Sequence, residues 1–411
     1  MVSIFMIIMR YFLLLFFSCI LASCGNAPNE GNSDVSKKSW EQITADAKGQ
    51  TLTMMMWQGD PLINKYMTDY VVPQVKSRYN IQLNIVGGQG NAIVSALMSE
   101  MEAGKENSEL DMMWINGETF FQLREIQALH GPFVEQLPNN KFLNWDNEFI
   151  STDFQQTVNG MECPWGNVQM AWIYDSTRIQ QPPMNMAELA EWVKAHPGKF
   201  TIPNEFTGMT LLKAWLIELS GSKDGLKGPF SEAKYKELSK KLWAYINDLK
   251  PYMWNEGKSF PAGVSQLHQL LVSGEVEFSL SNNDAEVDNK ILQGIFPKTF
   301  KAYVPSGGTI QNSHYLGIVN RSAHKEAAMV VCNFMISPEA QFEKMKPDVW
   351  GDATVLNIDK LEDDWKQQFN NIPGRVNAPK RSDIQQYAVM EPAAEYMIRL
   401  FEDFRKEVIE N

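Results

Sequence analysis

The chain has 411 residues, 44% of them hydrophobic, and a formal net charge of −12. That length exceeds the size at which a single core stops growing, so two domains are expected. The negative charge, with no run of Lys and Arg to interrupt it, argues against nucleic acid as a partner, because the phosphates would be repelled.

The N-terminus reads as a targeting segment. Residues 4–22 are almost wholly apolar, broken by Arg10, and residues 11–21 have the length of a signal-peptide hydrophobic region. Met9-Arg10 makes a better basic start than Met1, so translation begins at one or the other. The segment ends Leu21-Ala22-Ser23-Cys24-Gly25, which resembles the lipobox of bacterial lipoproteins. The resemblance implies that Cys24 is acylated, becomes the new N-terminus and anchors the protein to a membrane. An uncleaved transmembrane helix is the alternative, weakened by Arg10. Residues 25–38 are polar and poor in apolar side chains, as a flexible tether would be. Removal of the leader takes Cys19 and commits Cys24, leaving Cys163 and Cys332. An oxidising compartment would permit these two to pair, while two separately buried cysteines are the simpler expectation.

A short helix over 40–48 leads into a buried strand, 51–57, and the loop Gln58-Gly59-Asp60-Pro61, with Pro61 placed for the first turn of a helix over 62–79. A strand over 81–86 meets the corner Gly87-Gly88-Gln89-Gly90, which lacks the third glycine of a dinucleotide fingerprint and reads as a strand-to-helix turn. The helix over 91–103 carries Ile93, Val94, Leu97, Met98 and Met101 at helical spacing. The strand 110–115 then turns through Asn116-Gly117-Glu118 into a helix that faces Phe120, Phe121 and Leu123 inward. This alternation predicts a parallel α/β layer with right-handed crossovers.

From Val158 the composition changes. A strand over 167–174, a helix over 186–195, a strand over 200–202 and helices over 209–220, 231–249 and 264–273 precede a strand over 276–280, which ends in Ser281-Asn282-Asn283-Asp284. This second α/β layer has polar strand ends of its own. Residues 301–304 lead through Pro305-Ser306-Gly307-Gly308 to a strand over 315–319. A helix over 325–335, a shorter one ending near Met345, a turn at Trp350-Gly351 and a helical tail over 384–409 follow. In open α/β sheets a ligand sits outside the carboxyl ends of the strands, near the N–H groups of the following helix. The corners after the strands are therefore the candidate ligand contacts, although Asn116-Gly117 also suits a plain tight turn and Glu118 a first-turn helix charge.

Several stretches together resemble the bacterial extracellular solute-binding proteins of ABC importers, and within them the YnjB-like group. They are Trp57-Gln58-Gly59-Asp60, LDMMWINGETFFQL from Leu110, Gly131 to Phe133, PWGNVQMAWIYDSTRI from Pro164, HKEAAMVVCNFMISPEAQFEKM from His324 and DVWGDATVLNIDKL from Asp348. The resemblance covers nearly all of the mature chain and implies an α/β, two-lobed periplasmic-binding-protein fold of type II. Each lobe would be a mixed sheet flanked by helices, joined by a hinge. It further implies a signal peptide over 1–24, a tether and leading helix over 25–47, a first lobe over 48–163 that returns over 305–352, and a second lobe over 164–304 completed by helices in 353–411. Ligand would lie between the lobes, against Trp57, Gly59, Asp60, Asn116, Gly117 and Glu118 on one side and Thr207, Asn282, Asn283 and Asp284 on the other. Trp165 joins the candidate lining as an aromatic, with core packing as the competing role for it and for Trp57. Ligand binding would favour a closed form that an inner-membrane permease recognises. A monomer without cofactor, on the periplasmic or envelope side of a bacterial membrane, completes the expectation.

No metalloprotease, serine-hydrolase or phosphate-loop motif appears. The five histidines, His130, His196, His268, His314 and His324, lie far apart, and a surface or capping role is expected for each rather than metal ligation. Asp284, Glu286 and Asp288 alternate like the start of a calcium loop but lack its glycine and distal glutamate, so they read as first-turn helix charges. Asp60 with Glu118 could act as the acid and base of a membrane-anchored glycoside hydrolase. The carboxylates Asp60, Glu118 and Asp284, with Trp57 and Trp165 and without Arg or Lys at the three strand ends, suit a small organic cation. Sugars or oligosaccharides also fit, and an oxyanion would need residues 306–309 to form a nest. The YnjB-like group is linked with thiamine import, and a thiazolium cation agrees with that lining.

Overall fold

Apolar side chains on alternate positions make Thr51–Met56 (β1) a strand whose Leu52, Met54 and Met56 are buried. A computed structural model describes residues 34–411, so the leader and Cys24 lie outside the described residues. Residues 34–38 belong to a small unit of their own, where the Asp34 side chain caps the turn Val35–Lys37 through the Ser36 N–H, 3.2 Å away. The body begins at Ser39, whose reciprocal capping box with Gln42 starts the helix Trp40–Ala47.

Beside β1 lie Gln82–Gly87 (β2) and Met112–Ile115 (β3), both parallel to it, in the order β2-β1-β3. Parallel strands need long crossovers. Helices starting at Pro61 and spanning Asn91–Glu102 supply them. Leu129–His130 (β4) adds to this sheet, and Thr152–Asp153 (β5) pairs with Gln156–Thr157 (β6) in a separate hairpin. Cys163–Gln169 (β7) belongs to the large sheet, whereas Ala171–Asp175 (β8) is the middle strand of a small one, between Phe278–Ser281 (β9) and Phe300–Tyr303 (β10). The long strand Thr309–Val319 (β11) returns to the large sheet, antiparallel to β3 and to β7. Ala388–Met390 (β12) pairs parallel with its first residues. Two lobes result, each a sheet flanked by helices. Ile93, Leu97, Met113, Phe120 and Tyr315 form the core of the first. The second is packed around the nearly all-buried helix Phe206–Leu219.

Three expectations are corrected. The single strand over 167–174 is two strands broken at Met170, whose N–H donates to Ile310 O (2.8 Å) while the chain changes sheets. Burial is continuous on both sides of the break, and even the polar Asn167 and Gln169 before it are buried, so no exposed turn marks it. Residues 200–202 form no strand, although Phe200 and Ile202 are buried and the Phe200 carbonyl accepts from Trp254 N–H. The tail is not one helix: β12 interrupts it, and the helix proper is Ala394–Phe404.

Under the crossing strands, β7 and β11 shift register between His314 and Tyr315. Gly166 faces that shift, and a Cβ there would overlap His314 Nε2 and Asp352 Oδ2. Lys344, on the helix Pro338–Met345, is fully buried and pairs with the equally buried Asp352, which also bonds His314 Nε2 at 3.0 Å. Removing one partner of such a pair strands the other charge in a dry site. Lys344→Met is expected to destabilise the protein by about 3–5 kcal/mol, read from the denaturant midpoint; a loss below about 1 kcal/mol would mean that His314 balances Asp352 alone.

Candidate functional site

The strand ends of both lobes and the crossing strands enclose a cavity of about 190 Å³. Trp57, Asp60, Gln89, Gly90, Asn116 and Thr119 line it from the first lobe, and Glu205, Phe206, Thr207, Ser281, Asn282, Asn283, Glu286 and Asn289 from the second. Asn312, Ser313, His314 and Trp350 close it on the side of the crossing strands.

Asp60 stands at the head of the helix Pro61–Lys65, where Oδ1 accepts from Leu62 N–H (2.8 Å) and Ile63 N–H (3.2 Å) as an N-cap. Its Oδ2 takes Lys290 Nζ at 2.5 Å across the cleft. Trp57 meets Trp114 edge-on, with centroids 6.4 Å apart. Its indole lies over Gly59, where any Cβ would overlap the ring, so Gly59 is a seat for Trp57 and does not line the cavity. Gly117 similarly gives its space to the Phe154 ring. Asn282 Nδ2 donates to Thr207 Oγ1 at 3.2 Å, joining two lining residues. Thr207 lies in the first turn of a helix that begins at Phe206, one turn earlier than the hydrophobic spacing implies.

Other expected contacts sit elsewhere. Trp165 is fully buried behind the lining, edge-on to Trp114 and to Trp350, both at 5.1 Å, and those two rings face the cavity in its place. Asp284 is completely buried and turned away from the cavity. It accepts from Gln169 N–H (3.0 Å) and Arg381 Nη2 (2.7 Å) and is paired with Arg375. Burial would raise its pKa, but the two guanidiniums hold the carboxyl well below the usual range. Glu118 is buried just beyond Gly90; burial raises its pKa, opposed by the Lys213 ammonium. The strand ends that carry no Lys or Arg of their own are thus neutralised by Lys290, Arg375 and Arg381, which arrive from later segments.

Two histidines depart from the expected surface role. His314 lines the cavity and stacks on Trp350 at 5.5 Å. His268 is buried, with Nδ1 2.7 Å from Ser279 Oγ and Nε2 3.4 Å from Glu286 Oε1. Glu286, set in the first turn of the helix Glu286–Leu292, also lies 3.5 Å from Lys290. Burial alone would raise its pKa, yet His268 and Lys290 hold it down to about 2. Glu205 differs from these paired carboxylates. It heads the helix Phe206–Leu219, burial raises its pKa, and its buried Oε1 has no hydrogen-bond partner among the described residues. No group of three His, Cys, Asp or Glu side chains among the described residues could hold a metal ion. Asp60, fixed by its cap and by Lys290, is not placed to act as a free acid or base.

A two-lobed α/β molecule with a polar, tryptophan-walled cleft at its strand ends is the architecture of a solute receptor, and residues 70–369 match the family profile of bacterial extracellular solute-binding proteins. The chain belongs to that family and is the solute-binding component of an ABC transporter, placed on the periplasmic or envelope side. It is 35% identical to protein YnjB of Escherichia coli (strain K12) over 336 residues, 81% of this chain and 86% of that one. Solved structures share the fold at low identity. The periplasmic binding protein AfuA of Actinobacillus pleuropneumoniae, solved with fructose-6-phosphate, superposes with TM-score 0.61 at 13% identity, covering 87% of this chain and 98% of that one. The spermidine/putrescine-binding PotD of Streptococcus pneumoniae gives 0.58 at 14%, covering 87% and 99%.

The depressed pKa of Glu286 ties stability to pH. A carboxyl lowered from the ordinary 4.5 to about 2 contributes stability above the higher value and loses it as pH falls towards the lower one. The full shift corresponds to about 3 kcal/mol. Glu286→Gln is expected to flatten the loss of stability between these two pH values, measured by denaturant titration at successive pH; an unchanged slope would place the acid sensitivity elsewhere.

Proposed function

We propose that the cleft captures a small organic cation of the thiamine kind and passes it to a membrane permease. The observation that carries this reading is Glu205: a carboxylate oxygen without a partner among the described residues, at the wall of a cavity whose lining also includes Trp57, Trp114, Trp350, Phe206 and several side-chain amides. A thiazolium or ammonium group fits between aromatic faces and the unpartnered Oε1 of Glu205, a carboxylate that Thr207 and His268 also help to hold. Asn282, Asn283, Asn289 and Gln89 supply donors and acceptors for a heterocycle. The cavity volume of about 190 Å³ lies below the ~300–1,000 Å³ of drug-sized sites, which suits a compact solute better than an oligosaccharide. The fold itself does not select a cargo, since the relatives named above bind a polyamine and a sugar phosphate. Sequestration without turnover accords with Asp60 being held by its cap and Lys290.

Because burial raises the Glu205 pKa, a bound cation would favour the ionised form and release a proton, so affinity weakens as pH falls. The test is a thermal-shift screen of the body from Ser39 against thiamine, spermidine, neutral sugars and oxyanions. A cation bound only to the native state should add about 2.7 kcal/mol at a hundredfold excess over its Kd. Glu205→Gln or Trp57→Ala should weaken binding at least about tenfold, roughly 1.4 kcal/mol. A shift with sugars alone would reassign the cargo, and consumption of a sugar would turn the function towards an anchored hydrolase.

The lipobox reading makes the receptor lipid-anchored, with Cys24 acylated and residues 25–38 as tether, and the family resemblance implies a monomer. Cys24→Ser is expected to move the protein from the membrane to the soluble fraction of fractionated cells; retention in the membrane fraction would favour an uncleaved span.

A further inference from the structure

Cys163 opens the crossing strand β7, opposite Leu316 of β11. Cys332 approaches from the helix Lys325–Met335, which packs on β11. Both side chains are fully buried and both are thiols in this structure. They are not separately buried: Cys332 lies beside Cys163 and is among the groups that push its thiol up. In the neighbourhood Glu162 is also completely buried, with neither carboxylate oxygen partnered among the described residues. Burial, Cys332 and Glu162 all push the Cys163 thiol up, so in the folded, reduced protein it is a poor nucleophile.

A receptor of this family works outside the cytoplasm, where thiols that meet during folding are exposed to disulfide oxidants. We propose that Cys163 and Cys332 are joined as a structural disulfide in the exported protein. The two thiols give up two protons and two electrons to an external disulfide, one S–S bond forms, and the oxidant leaves as two thiols. The exchange takes place before the core closes, since neither sulfur is reachable afterwards. Cys163 precedes the first excursion into the second lobe and Cys332 follows the return, so the bridge closes that whole excursion into a loop. A loop of that length loses much chain entropy in the unfolded state. The bridge would also tie the first-lobe end of β7 to the helix Lys325–Met335, leaving bending to the middle of that strand.

The test uses the full chain exported with its own leader. Free thiols are blocked with iodoacetamide in denaturant, and the protein is digested without reductant and analysed by mass spectrometry. Peptides containing Cys163 and Cys332 should appear linked, two hydrogens lighter than their sum, and become alkylated only after reduction. This readout ignores Cys19 and Cys24. Reduction should lower the Tm by roughly 5–10 °C. Cys332→Ala should expose Cys163 to alkylation in denaturant without any reductant. Alkylation of both residues in exported, unreduced wild-type protein would overturn the proposal, as would a Tm indifferent to reduction.

Discussion

The fan of hydrogen bonds around Asp284 holds the crossing together. Arg381 reaches Asp284 through Nε (2.9 Å) and Nη2 (2.7 Å), and Asn167 on β7 through Nη1 (2.7 Å). Asp284 itself takes Gln169 N–H at the end of that strand. One buried carboxylate thereby fixes the end of β9, the crossing strand β7 and the C-terminal segment to each other. Without it the second lobe's strand ends would have no set position relative to the hinge, and Asn282 and Asn283 would not point at the cleft. The charge is affordable in a dry site only because two guanidiniums and an N–H satisfy it.

The same economy governs the cleft. Asp60, Glu286 and Lys290 form a nearly balanced set, with His268 against Glu286 and His314 against Asp352. A receptor whose wall charges are paired among themselves presents little net field to its cargo, so selectivity falls to shape, to the tryptophan faces and to Glu205, whose Oε1 has no partner among the described residues. The tryptophans are layered: Trp57, Trp114 and Trp350 face the cavity, while Trp165 backs Trp114 and Trp350. Such backing fixes ring orientation and keeps the pocket preformed.

Much of the fold is legible in the sequence because it is local. The parallel layer follows from hydrophobic strands closed by glycine corners, and helices such as Val264–Ser273 and Lys325–Met335 follow from their 3.6-residue spacing. What is not legible is non-local. Strand β12 has three residues and exists through its pairing with β11, and the break at Met170 lies inside continuous burial. The site divides in the same way. Asn116 at the end of β3 implies Trp114 two residues back on the same face, so that tryptophan was there to be found by strand periodicity. Lys290 comes to Asp60 across 230 residues and Arg381 to Asp284 across 97, and no local pattern announces either. The argument for a cationic cargo from Asp60 and Asp284 therefore dissolves in the fold, and Glu205, unremarkable in sequence, takes its place.

The Asp60–Lys290 bond spans the cleft and ties its two walls to each other. Such a pair favours closure on its own account, and a cargo would add its own contacts to an equilibrium the pair already biases. Association then waits on spontaneous unlatching, while a captured molecule leaves only as fast as the latch opens. Such a molecule retains scarce solute well and gives it up poorly by itself. Delivery becomes the task of a partner that prises the lobes apart, and the Asp60–Lys290 pair is one of the contacts it has to break.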